Sequence, residues 1–132
     1  MSIKTRQTKQ KKAIYDVLHK ANTHLQADEI YNLVRKKIKN ISLATVYRNL
    51  ETMTAKSILY EVYVSGLPRW YEIKKNDCHG HLFCRRCYQL KDVVDCSLCF
   101  AKNKMQSMMH FKGEEVMYLV VGLCSKCDIS RK

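Results

Sequence analysis

Two cysteine pairs, Cys84-x2-Cys87 and Cys124-x2-Cys127, constrain this chain more than any other feature. Zinc takes four tetrahedral ligands, and four thiolates satisfy it completely. Residues 88–123 must therefore fold back and carry the second pair to the first. That gap is too long for a simple zinc ribbon, so it must hold strands and a helix. Two such pairs in one small domain point to a structural zinc site. The redox alternative predicts thiols that react fast with alkylating probes. Cys78, Cys96 and Cys99 lie outside the two pairs and read as small buried hydrophobes, with an extra thiol site or a redox switch as the alternative.

Residues 79–87, HGHLFCRRC, place two histidines just ahead of the first pair. Strand alternation would turn His79 and His81 to one face. Asp92 falls on the next expected strand. Imidazole and carboxylate donors without a thiol suit iron(II), manganese(II) or zinc(II). The stretch thus predicts a second metal site beside the thiolate one.

The first half of the chain has different chemistry. Residues 1–56 carry 12 basic and 4 acidic side chains, within a total net charge of +12. This excess favours a polyanion such as nucleic acid. Apolar stripes predict helices over 9–21 (Ile14, Val17, Leu18, Ala21) and 27–38 (Ala27, Ile30, Tyr31, Val34, Ile38). A third begins after Ser42, a residue suited to the N-cap, and buries Leu43, Val46, Leu50 and Met53. Its opposite face presents Thr45, Arg48, Asn49 and Thr52, with Tyr47 at the border. Residues 58–64 and 69–73 read as a hairpin around Gly66 and Pro68. Three helices and a hairpin make a winged helix-turn-helix. The pattern breaks near residue 75, which divides the chain into 1–74 and 75–132. In the second part, HLFC and QLKDVV read as strands. Leu98, Ala101, Met105, Met108 and Met109 form a helical stripe expected in a core or a dimer interface. EEVMYLVVGLC reads as a strand. The expected class is α+β: a winged helix-turn-helix domain followed by a small α/β dimerisation domain with a four-cysteine zinc site.

The stretch HLQADEIYNLVRKKIKNISLATVYRNLETM, with the paired cysteine motifs, resembles the ferric uptake regulator family over nearly the whole chain. That resemblance implies a homodimer whose second domain dimerises, and metal-dependent repression through an operator. Tyr47 and Arg48 would contact bases, Arg6 would occupy a minor-groove position, and Thr45 and Asn49 would complete the DNA-binding set. It also implies a regulatory site built from His24, Glu72, His79, His81 and Asp92, with Tyr71 as the alternative to Glu72. Structural zinc would sit on Cys84, Cys87, Cys124 and Cys127. The regulatory ion would be iron(II) or manganese(II), with zinc(II) as the alternative. The targets would be metal-uptake or oxidative-stress genes. The alternatives within the family are a peroxide sensor, inactivated by iron-catalysed histidine oxidation, and a zinc-uptake regulator. The operator is expected to be an AT-rich palindrome in double-stranded DNA.

Other classes fit less well. No HExxH, phosphate loop or separate general base marks an enzyme. No run of 18 apolar residues could cross a membrane, and the basic start MSIKTRQTKQKK has no apolar segment behind it, so a cytoplasmic protein is expected.

Overall fold

The computed structural model describes residues 3–75, 79–94, 97–114 and 116–131. Cys78 and Cys96 lie outside the described residues, as do the side chains of Arg6, His79 and Cys99. The chain divides into two compact units, Met1–Lys75 and Asn76–Lys132.

In the first unit, α1 spans Ile3–Ala21, longer than the apolar stripe alone suggests. The two-residue strand β1 follows at Leu25–Gln26. The second helix, α2, covers Ala27–Val34. The Glu29 carboxylate accepts a hydrogen bond from the Gln26 amide at 3.0 Å, which caps its start. It stops four residues before the expected end. The Lys37 and Ile38 amides both bond back to the Val34 carbonyl, which closes the chain into a turn.

Helix α3, Leu43–Ala55, begins where the sequence places it, with the Ser42 side chain accepting from the Thr45 amide at 3.1 Å. Val46, Leu50 and Met53 are buried, whereas Leu43, the first residue of the helix at the end of the same stripe, is exposed. The wing is β2 (Leu59–Val62) and β3 (Trp70–Ile73). These strands pair antiparallel, and β1 adds to the other edge of β3 to give the order β1-β3-β2. Ile14, Leu18, Ile30, Val34, Val46, Leu50 and Leu59 are the largest fully enclosed side chains, so three helices and the wing share one core.

The second unit runs β4 (His79–Cys84), β5 (Leu90–Val94), α4 (Ser97–Met109), β6 (Leu119–Gly122) and a short 3-10 turn, Ile129–Arg131. The sheet order is β5-β4-β6, with β4–β5 antiparallel and β4–β6 parallel. A parallel pair needs a crossover, and α4 supplies it. The methionine stripe is not a core: Met105, Met108 and Met109 are each more than half exposed. Among the described residues, only Phe83 and Cys84 of this unit are buried apolar side chains.

Candidate metal centres and nucleic-acid interface

The parallel register brings the four thiols together. Cys84 ends β4 and pairs with Gly122, the last residue of β6. Both cysteine turns therefore leave the sheet at the same end. Each turn closes by backbone bonds to its first cysteine: the Tyr88 amide to the Cys84 carbonyl at 2.8 Å, and the Cys127 amide to the Cys124 carbonyl at 3.0 Å. Tyr88 takes a left-handed φ of 61° in its tight turn, and its ring stacks on Phe83 at 5.9 Å. One sulfur from each of the four residues lies within 4.8 Å of the others, and Cys87 Sγ stands 3.8 Å from Cys124 Sγ. A tetrahedron with zinc–sulfur bonds of about 2.3 Å has edges of about 3.8 Å, so the set fits zinc. The backbone N–H groups of Cys87 and Cys124 hold the Cys84 thiol down to about 6. The hydrogen bond with Cys124 pushes Cys127 up. Four thiols this close do not all ionise without a cation to share the charge.

Each unit also carries a histidine–carboxylate pair. In the first, Leu25 pairs with Tyr71 and Gln26 with Trp70, so β1 aligns the preceding residue with the next position of β3. His24 Nε2 lies 2.8 Å from Glu72 Oε2, with both side chains 4% exposed. Tyr71 instead lines a cleft of about 630 Å³ between α3 and the wing. The carboxylate, not the phenol, therefore accompanies His24. In the second unit, His81 stands directly across from Asp92 in the β4–β5 ladder, and His81 Nε2 is 3.2 Å from Asp92 Oδ1. His79 occupies β4 opposite Val94.

Gly80 separates the two histidines for a packing reason that periodicity missed. A Cβ there would lie 1.9 Å from Cε1 of Tyr118, so the ring rests on the bare strand. The Tyr118 carbonyl also accepts from the His81 amide at 3.1 Å. A lone glycine in a strand is the available sequence signal for such an approach.

On α3, Tyr47 and Arg48 are exposed and Thr45 is half-buried. Asn49, expected on the outward face of α3, is buried. It is 7% exposed, and its amide donates to the Thr45 carbonyl at 3.0 Å and to Gln10 Oε1 at 3.3 Å. The helix turns it towards α1, where it joins the two helices. Arg69 of the wing stacks on Tyr63 at 5.2 Å and lies 4.0 Å from Glu61.

A winged helix-turn-helix followed by a thiolate-bearing α/β unit defines a DNA-binding metalloregulator. The profile of the ferric uptake regulator family matches residues 2–119, and the chain belongs to that family of metal-responsive transcriptional repressors. It is 31% identical over 108 residues to the ferric uptake regulation protein of Helicobacter pylori strain J99, covering 80% of this chain and 72% of that one. It is 29% identical over 121 residues to the peroxide-responsive repressor PerR of Staphylococcus aureus, covering 92% and 81%. Its fold is similar to the Campylobacter jejuni peroxide stress regulator, with a TM-score of 0.83 and 25% identity over 96% of this chain and 100% of that one.

Proposed function

We propose that His24, Glu72, His79, His81 and Asp92 ligate one regulatory divalent ion, iron(II) or manganese(II), and that this ion acts as corepressor. The buried His24–Glu72 pair carries the reading. A histidine and a carboxylate at 2.8 Å, both almost fully enclosed, are costly to desolvate inside a DNA-binding unit. Apolar residues would stabilise the fold at least as well, so these two residues suit binding better than packing. His81–Asp92 offers the same donor types from the second unit. Nitrogen and carboxylate donors without sulfur suit these ions.

A bound divalent ion would supply a positive centre to these nitrogen and carboxylate donors. His24 and Glu72 then restrain the reading unit, while His79, His81 and Asp92 restrain the other. The chain acts as a homodimer through residues 75–132, where Phe100, Met105, Met108 and Met109 offer an apolar surface to a second copy. The angle between units sets the spacing of the two α3 helices, which must match half-sites on a palindrome. Tyr47 and Arg48 read bases, and Arg6 is assigned the minor-groove contact from the family resemblance alone. Cys84, Cys87, Cys124 and Cys127 hold structural zinc. Coupling of about 1–3 kcal/mol would raise operator affinity about 5- to 150-fold. Titrating iron(II) or manganese(II) into chelator-treated protein with operator DNA tests this; unchanged affinity rejects it.

The likeness to the C. jejuni peroxide stress regulator favours a second reading, histidine oxidation as the signal. Peroxide applied to the iron form should then add about 16 Da, one oxygen, to His24 or His79. An unmodified pair with retained DNA binding keeps the metal-responsive reading.

A further inference from the structure

The first turns of α3 hold a hydrogen-bond chain on their exposed side. Arg48 Nη2 donates to Thr45 Oγ1 at 3.0 Å. Thr45 Oγ1 lies 2.9 Å from Ser42 Oγ, and Ser42 Oγ accepts the Thr45 amide at 3.1 Å. Thr45 can thus donate its hydroxyl hydrogen bond to Ser42 while its oxygen accepts an N–H of the guanidinium. Ser42 is anchored in turn, because capping α3 fixes its side chain. The residues fall three apart, the spacing at which helical side chains meet.

An arginine on an open helix face samples many rotamers. Ordering a rotamer-rich side chain on binding costs affinity. A guanidinium already tied to Thr45 has lost part of that freedom in the unbound protein. Arg48 keeps its other N–H groups for a base edge, which a bidentate contact to guanine needs in a fixed plane.

We propose that Thr45 is a positioning residue for Arg48: the Ser42–Thr45–Arg48 chain presets the guanidinium, so Thr45 governs sequence discrimination through Arg48 rather than by its own base contact. This inference rests on Arg48 facing bases, as proposed above.

The test uses the full-length protein loaded with manganese(II). One duplex is a palindrome selected by the protein from a random pool, and the other is its scrambled sequence. Thr45→Val keeps the side-chain shape and removes the hydroxyl; Thr45→Ser keeps the hydroxyl. The expected result is a palindrome-to-scramble affinity ratio lowered about three- to tenfold by Thr45→Val and restored by Thr45→Ser. In an Arg48→Ala background, Thr45→Val should change that ratio no further. Thermal melts by circular dichroism verify that each variant is folded.

Equal losses on both duplexes, with a salt slope shallower by about one contact, would make Thr45 a phosphate ligand and overturn the proposal. A Thr45→Val effect that persists in full without Arg48 would overturn it too. If Arg48→Ala alone leaves the ratio unchanged, the base-reading assignment fails first and the positioning role falls with it.

Discussion

Stripping zinc from the four thiolates should unfold the second unit and leave the first folded. The reason lies in how the two units are held. The first has its own core, from Ile14 and Leu18 of α1 to Leu59 of the wing. The second buries only Phe83 and Cys84 as apolar side chains among its described residues. Burying a phenylalanine contributes about 1.5–3 kcal/mol. Zinc on a structural site contributes about 10–16 kcal/mol at neutral pH. Even a third of that, about 4 kcal/mol, is a thousandfold change in the opening equilibrium. Amide hydrogen exchange by mass spectrometry reads this directly. In zinc-free protein, verified by metal analysis, β4, β5 and β6 should exchange about a thousandfold faster or more. Peptides covering α3 and the wing should change by less than about threefold. Cys124→Ser should reproduce the effect. Full protection of β4–β6 in verified zinc-free protein would refute the reasoning, because some other interaction would be holding that sheet.

Leu50, fully enclosed between the helices, should destabilise the first unit by about 2–5 kcal/mol when changed to alanine, measured by urea unfolding. Gly80→Ala must displace the Tyr118 ring and should cost the second unit about 1–3 kcal/mol in thermal unfolding, but clearly less in a Tyr118→Ala background. Burial, and then the nearby Glu61 carboxylate, raise the Tyr71 phenol above its ordinary 10.0. The unfolded chain therefore releases this proton first, and stability should fall as pH rises through 10 and beyond. Tyr71→Phe should flatten that decline, as alkaline unfolding curves would show.

What the sequence made legible was whatever rests on local chemistry or strict spacing. Ser42 as a cap and Val46, Leu50 and Met53 as one buried stripe follow from helical period alone, and the structure has both. The cysteine pairs announced their meeting because four thiolates have few other uses at that spacing. Features that depend on tertiary partners were hidden. A two-residue strand such as β1 has no periodicity, yet it aligns His24 with Glu72. Asn49 looked like a surface reader because nothing in its own helix announces that Gln10 of α1 will meet it. The methionines of α4 read equally well as core or interface, because helical spacing alone does not say what a stripe packs on; in the single chain they are exposed.

The proposed coupling is that one regulatory ion, with His24 among its ligands, sets DNA affinity. It is tested most directly by measuring operator binding of zinc-loaded protein by fluorescence anisotropy, with and without manganese(II), for the natural chain and for His24→Ala. The natural chain should gain about 5- to 150-fold on adding manganese(II). His24→Ala should lose most of that gain while keeping the metal-free affinity. An equal gain in both proteins would contradict the account, because the ion would then act without the reading unit's own ligand.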